Sequence, residues 1–450
     1  MQQADQPRFL PQFLQLAGVN ILSNVLVPIA GLLDVAFLGH LGEIRYLAGV
    51  AVANIVFSYL YWSFGFLRMG TTGMTAQASG RGDSDALTLI VLRNGLTAIA
   101  ISSVILMLQV PIRAIGFAIL SASPDVKASG QAFYDALIWG APATLINFVL
   151  LGWFLGRAES GKVLWMSAIN NLASVALDYW FIVRLGWQSS GAGLATALGQ
   201  YFMLVVGLGF LVQEVSLVQV KALLPRLFDA VAFRTVFMLN RDILVRTLAL
   251  ISTFAVFTNL SAAFGTEVLT INTLLLQVVT LAAYFIDGFA FATETFAGIF
   301  YAKQLRSQLI RLLWISGLFC ISFGVSIACL FIVAPSFFAL LTHHSFILDR
   351  VDQFVIWLLP VLGFGSIAYL LDGYFLGLAA GRILRTSTLI AAIAFVPIAL
   401  AAWHWNNSHL LWLALSVFML VRAATLAAQI RKTLSVTSIT RRELRSNRLN

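Results

Sequence analysis

The chain is short of charge. Only 10% of its 450 residues are Asp, Glu, Lys or Arg, while 60% are hydrophobic and the mean hydropathy is +0.90. Soluble globular chains carry about a quarter charged residues, so a soluble enzyme and a secreted domain are both excluded. Cysteine is scarcer still. Cys320 and Cys329 stand nine residues apart in one apolar run, a spacing that suits neither a disulfide framework nor a metal clamp, and they read as packing residues. The five histidines show no HExxH or comparable spacing, and no P-loop occurs. Neither a zinc hydrolase nor an ATP-driven pump is therefore encoded; the chain is expected not to be an enzyme and to need no cofactor. Gly191-Ala-Gly193-Leu-Ala195 mimics a dinucleotide fingerprint but lacks the strand that should precede it.

Long apolar runs fill the chain instead. A spanning helix needs about 20 apolar residues, and twelve such runs occur: 13–38, 47–74, 87–112, 133–155, 163–183, 192–212, 236–260, 268–300, 309–334, 351–378, 384–403 and 410–428. A membrane β-barrel would instead alternate in short segments. The expected fold is an all-α integral membrane protein with twelve transmembrane helices.

The net charge of +9 would suggest nucleic acid in a soluble protein. Here Lys and Arg cluster in alternate loops, at Arg81, at Arg157 with Lys162, at Lys221, Arg226 and Arg234, at Lys303, Arg306 and Arg311, at Arg382 with Arg385, and in the tail from Arg431. That is the positive-inside pattern, which places both termini in the cytoplasm and predicts no nucleic-acid partner. A cell inner membrane is the simplest location, and no cleavable signal peptide is apparent. The stretch 214–234, with Lys221, Pro225, Arg226 and Asp229, interrupts the apolar pattern as an amphipathic cytoplasmic linker. It divides an amino-terminal six-helix lobe, 1–213, from a second, 235–430, with a basic cytoplasmic tail over 431–450.

The halves repeat each other. Gly65-Phe66 matches Gly288-Phe289, Ile138-Trp139-x-x-Pro142 matches Ile356-Trp357-x-x-Pro360, and Gly152-x-Phe154-Leu155-Gly156 matches Gly373-x-Phe375-Leu376-Gly377. The offsets are 223, 218 and 221 residues, so the three matches are collinear. With an even number of spans each, the halves enter the membrane in the same direction and form two pseudo-symmetric six-helix lobes. Such an architecture, with a central cavity, is characteristic of secondary transporters.

Chemistry must then lie in polar groups that cannot reach a loop. Asp34 sits six residues after Pro28 on the first span, and a carboxylate at membrane depth costs about 2.5–3.5 kcal/mol, which makes it a functional candidate by default. Burial favours its neutral form, so Asp34 is expected to carry a proton and to release it when water or a cation arrives. Pro28 removes a backbone hydrogen bond and is the expected bend. On the fifth span, Asn171, Ser174 and Asp178 stand at i, i+3 and i+7 and share a helical face. That stripe suits a proton site or a few ligands for Na⁺, with a hydroxyl from Thr196 on the next span. In the second half, Asp287 and Glu294 share a face of the eighth span and Asp372 lies on the tenth; these acids, with Tyr61 and Tyr284, are expected to line a substrate cavity. Asp242 and Arg246, at i and i+4, read as a local ion pair. Arg68 is assigned no role.

These residues resemble the multidrug and toxic compound extrusion transporters, and within them the DinF-like branch. The resemblance runs from about Leu16 to Arg422. It is carried by Pro28-Ile-Ala-Gly-Leu-Leu-Asp34 with Gly39-His-Leu-Gly42, by Arg68-Met-Gly-Thr-Thr-Gly, by Leu177-Asp178, by Gly191-Ala-Gly-Leu-Ala-Thr196, by Asn240-Arg-Asp-Ile243, by Asp287-Gly-Phe-Ala-Phe-Ala-Thr-Glu294 and by Asp372-Gly373. It implies two six-helix lobes around a cavity and export of amphipathic, often cationic compounds in exchange for H⁺ or Na⁺. It also implies coupling-ion binding at the positions held here by Asp34 and Asp178, with Thr196 matching a family hydroxyl. The chain departs from the family at Ser174, where Asn is frequent, and carries no acid in the middle of the seventh span. Both departures weaken a Na⁺ site at Asp34 and Asp178.

The expected function is thus a cation-coupled antiporter, a monomer in the lipid bilayer moving small molecules by alternating access. Two alternatives stand beside it, an exporter of a metabolic organic anion and a lipid-linked oligosaccharide flippase. The flippase would need a strongly cationic cavity for a pyrophosphate; the span interiors read as carrying Arg68 and little other positive charge, which favours the drug exporter.

Overall fold

A computed structural model describes residues 9–39, 43–120, 122–340 and 350–446, with the side chains of 27–36, 336, 339–340 and 435–446 outside that description. The described chain is helical. Its α-helices are α1 (Phe9–Gly39), α2 (Ile44–Ser63), α3 (Phe66–Arg81), α4 (Ser84–Met107), α5 (Gln109–Ile119), α6 (Pro124–Leu137), α7 (Ala141–Gly156), α8 (Ser160–Asp178) and α9 (Gln188–Glu214). They continue with α10 (Leu217–Leu227), α11 (Ala230–Ala263), α12 (Thr266–Ala302), α13 (Arg306–Val333), α14 (Leu358–Gly377), α15 (Gly381–His404) and α16 (Ser408–Ser446). Large apolar side chains stand outward along them: Met107 is 79% exposed, Trp314 77% and Val333 83%. Contiguous apolar surface of that kind is tolerable against lipid and an aggregation site in water.

Among the described residues eleven segments are long and apolar enough to span a membrane. The twelfth expected span, 163–183, is divided. The α-helix ends at Asp178 and a wider π turn, Tyr179–Arg184, completes it, closed by the Leu185 amide donating to the Trp180 carbonyl at 3.0 Å. Its Asn, Ser and Asp residues lower its hydropathy below that of its neighbours. Other runs expected as single helices are also broken. The second span divides at Phe64-Gly65 into α2 and α3. The fourth is longer than expected and contains a 3₁₀ turn, Ile138–Gly140, just before Pro142; a similar turn, Val355–Trp357, precedes Pro360. Proline has no amide to give the preceding turn, so the helix restarts at each site.

The chain divides into two compact units. One is Leu22–Phe237; the other joins the described residues of Met1–Ile21 to Met238–Asn450. The first part of α1 thus belongs with the later helices. Phe9 meets Phe296 edge-on at 5.3 Å between ring centres, and Gly288 offers its bare Cα to the backbone of Ala17 and Ile21.

The repeat read from the sequence reappears in the backbone. Three residues with left-handed φ in the earlier half, Gly82 (69°), Ala158 (61°) and Gly186 (69°), have counterparts at Gln304 (56°), Ala379 (53°) and Asn406 (49°). The separations are 222, 221 and 220 residues. Each residue ends a helical segment, and the amide after it donates to a carbonyl five or six residues back: Asp83 to Ala78 and Leu305 to Phe300, Glu159 to Phe154 and Ala380 to Phe375, Trp187 to Phe181 and Asn407 to Ala402. These are helix C-caps of the left-handed kind. The glycine pairs repeat as well. A Cβ on Gly152 or Gly156 would strike the carbonyl of Arg68 or Thr72 on α3; one on Gly373 or Gly377 would strike that of Ala290 or Glu294 on α12. Bare Cα surfaces let α7 approach α3, and α14 approach α12, at backbone distance.

Local caps and polar locks fix the rest. Asp83 accepts from the Ala86 amide at 2.9 Å to start α4, and Asp229 accepts from the Val231 and Ala232 amides at 2.8 and 3.0 Å to start α11. Those amides, the Ala232 one foremost, hold the Asp229 carboxyl below its usual range. The linker helix α10 lies on α4. Leu223 and Leu227 pack on Leu89 and Leu92, while Arg93 donates to the carbonyls of Leu227 at 3.1 Å and Arg226 at 2.5 Å. In the later unit, Asn272 ties three helices: its amide donates to Ser261 Oγ at 2.8 Å and to Ser408 Oγ at 3.2 Å, and its oxygen accepts from Trp412 Nε1 at 2.8 Å, all buried.

Candidate functional site

In the unit Leu22–Phe237, α8 carries three of the candidate residues, Asn171, Ser174 and Asp178. Asp178 is wholly buried and Ser174 is 7% exposed, so the i+3 and i+7 positions of the stripe turn inward together. Room for Ser174 comes from Gly199 on α9, whose missing side chain would occupy the place of the serine hydroxyl. Asn171 is only half-buried and accepts a 3.4 Å bond from its neighbour Asn170. Thr196 is half-buried too, and its hydroxyl donates back to the Ala192 carbonyl at 3.0 Å within its own helix. The π turn follows Asp178 directly, and such turns often accompany functional positions because they shift the register of the helix by one residue. Pro28 and Asp34 lie on α1, but their side chains are outside the described residues. Tyr61 stacks on Phe57 with 5.5 Å between ring centres and has a buried hydroxyl.

The later unit holds a denser set of charges. Glu294 is wholly buried on α12, while Asp287 and Tyr284 on the same helix are half-buried. Asp372 on α14 is 3% exposed, and its Oδ2 accepts from two guanidiniums, Arg246 of α11 and Arg422 of α16. Both arginines are themselves buried, Arg422 completely. Asp287 and Glu294 lie within electrostatic range of Arg246, and the Arg422 guanidinium stands 5.3 Å from the centre of the Tyr369 ring.

Two expectations are corrected here. Asp242 and Arg246 do not pair with each other. Asp242 accepts from Arg385 at 2.6 Å and Arg241 at 3.1 Å, whereas Arg246 reaches Asp372, 126 residues along the chain. The reason is depth: a buried guanidinium must find its counter-charge where water cannot supply one, and half-exposed arginines already satisfy Asp242. Second, the span interiors do not lack positive charge, since Arg246 and Arg422 join the half-buried Arg68. Arg422 was missed although a signal existed, an arginine inside the apolar run 410–428 with an aspartate inside 351–378. Of the two cysteines, both free, Cys320 packs inside and Cys329 is exposed on the apolar surface.

A helical membrane protein built as a tandem repeat, with carboxylates and guanidiniums sunk among its helices, is by class a transporter. Comparison with known proteins agrees. A MatE family profile matches residues 20–180. The chain is 35% identical to DNA damage-inducible protein F of Escherichia coli over 424 residues, covering 93% of this chain and 91% of that protein. It is 24% identical to chloroplastic Protein DETOXIFICATION 44 of Arabidopsis thaliana, covering 88% of this chain and 77% of that one. Among solved folds it superimposes on a MOP superfamily transporter from Pyrococcus furiosus with a TM-score of 0.82 at 16% identity, covering 95% of this chain and 96% of that one. A mutant MATE transporter of Vibrio cholerae gives 0.83 at 16% identity, covering 95% and 98%. The chain belongs to the multidrug and toxic compound extrusion family, in its DinF-like branch, and is a multi-pass efflux transporter.

Proposed function

We propose that the chain is a secondary antiporter that exports amphipathic organic compounds in exchange for H⁺, with Asp34 and Asp178 as the coupling acids. The observation that carries this reading is the burial of Asp178, 0% exposed beside the hydroxyl-bearing Ser174. Ionisable groups sunk inside spanning helices are costly and mark ion pathways, which is the role proposed here for Asp178. The helix that carries it ends in a π turn, a local irregularity frequent at functional sites. Protonation of Asp34, assisted by the α8 stripe, would bend α1 near Pro28 and expel substrate; after reorientation the proton leaves and substrate enters. Ion and substrate thus compete for one state, and the coupling between them must be reciprocal.

The reading takes the chain as a monomer in a cell inner membrane, with both termini in the cytoplasm and no cofactor, in keeping with the positive-inside distribution of its loops. Na⁺ in place of H⁺ is the variant to separate. An organic-anion substrate gains weight from the buried arginines Arg246 and Arg422.

The test uses vesicles reconstituted with the full chain and carrying an imposed ΔpH, in sodium-free and sodium-containing buffer. Ethidium or p-toluenesulfonate is added, and gradient dissipation is followed for wild type and Asp34→Asn. Sodium-independent dissipation that disappears in the variant is the expected result. Gradient-driven export retained by Asp34→Asn would overturn the assignment of Asp34, and a response only to sodium would replace H⁺ by Na⁺.

A further inference from the structure

The Arg246, Asp372 and Arg422 cluster is built unlike a structural salt bridge. A guanidinium carries five N–H donors in a planar fork, and its strongest partner is a carboxylate that accepts two of them in parallel. Here two guanidiniums converge on the single oxygen Oδ2 of Asp372. Arg246 Nε, Arg422 Nε, Arg422 Nη1 and Asp372 Oδ1 are buried and make no hydrogen bond among the described residues. A pair selected only to hold helices together would use those donors, because an unmet buried donor loses its water without recompense. Donors of two forks left open around one shared oxygen are instead arranged to accept a second anionic group, or to exchange the first for it.

The surroundings suit an aromatic compound. The Tyr369 ring lies beside the Arg422 guanidinium at 5.3 Å, a cation–π distance. Asp287, within electrostatic range of both arginines, is half-buried and not sealed in the core as they are. Asp287 and Glu294 lie within electrostatic range of Arg246 and complete the charged surroundings of the cluster.

We propose that Arg246 and Arg422 form a binding site for the anionic oxygen group, carboxylate or sulfonate, of an aromatic substrate, which displaces Asp372 from the shared guanidiniums. Asp372 is then an internal stand-in for the substrate's anion. The proposal rests on the efflux reading for its transport consequence only; binding itself needs no gradient.

The probe is p-toluenesulfonate, with the uncharged p-toluenesulfonamide as its shape-matched control. Calorimetric titration of the purified full chain is expected to give saturable binding of the sulfonate at least tenfold tighter than of the sulfonamide, weakened at least tenfold by Arg422→Lys, which keeps the charge and removes the fork. Asp372→Asn removes the competitor while keeping its size. The sulfonate, and not the sulfonamide, should raise the melting temperature of that variant, and adding Arg422→Gln should abolish the rise. Equal affinity for the two probes, no saturable binding of the sulfonate to wild type, or a response that survives Arg422→Gln would overturn the proposal, and the wild-type titration decides it even where Asp372→Asn fails to fold. The coupling assignment is read from transport by Asp34→Asn and this proposal from binding to the wild-type chain without a gradient, so failure of either leaves the other intact.

Discussion

Gly373 presses its bare Cα against the backbone carbonyl of Ala290, as Gly152 does against that of Arg68 in the earlier half. The obstacle to a side chain there is backbone, which cannot rotate away. Gly373→Ala should therefore force α14 from α12 and destabilise the chain by about 1–3 kcal/mol, the usual range for overpacking. A thermal melt in detergent checks it. Gly363, with nothing within 4 Å of its added Cβ, is the control and should tolerate alanine with little change.

Ala379 holds a φ of 53°, a conformation that costs an L-residue about 1–2 kcal/mol. Ala379→Gly removes the Cβ responsible and should raise the melting temperature. Part of the gain is lost to the greater freedom of glycine in the unfolded chain, so a net stabilisation of about 0.5–1 kcal/mol is expected. Ala158→Gly, its counterpart 221 residues earlier, should behave alike, and a fall in stability at both would show that the left-handed caps are misassigned.

Asn272→Ala strips the acceptor from Trp412 Nε1 and the donor from Ser261, both buried. Leaving such groups unmet costs about 1–3 kcal/mol each. The melting temperature should drop clearly, and Asn272→Asp, which retains the acceptor alone, should recover only part of the loss.

Asp178→Asn preserves size and should leave the protein folded while gradient-driven export falls by about tenfold or more, the scale of ordinary coupling energies. Thr196→Val should do far less, because the Thr196 hydroxyl is bonded within its own helix to Ala192. Vesicle transport with both variants checks the pair. Equal losses would mean that Thr196 reaches the coupling site directly.

Much of this was legible before any coordinates. Span-length apolar runs dictate helices because backbone groups in lipid must be satisfied within the segment, and the collinear Gly and Trp-x-x-Pro matches announced a repeat that the left-handed caps then traced residue by residue. Helical periodicity puts Asn171, Ser174 and Asp178 on one face, of which Ser174 and Asp178 are buried and Asn171 only half so. What escaped was set by distance along the chain. Periodicity sees Asp242 and Arg246 four residues apart and pairs them; it is blind to a partner 126 residues away, and to Arg422 50 residues beyond Asp372. The π turn after Asp178 escaped because no residue type marks it.

The docking of α10 on α4 settles where this polypeptide could be divided into two co-expressed pieces. Arg93 holds the last carbonyls of α10, Gln219 reaches the Ser84 carbonyl at 3.3 Å, and Leu223 and Leu227 complete the Leu89 cluster. A gene cut before Ser216 would deprive the amino-terminal fragment of its own cover and leave the other fragment with a sticky, partnerless leader. A cut between Leu227 and Asp229 keeps that cover with the fragment it closes and leaves Asp229 to start α11.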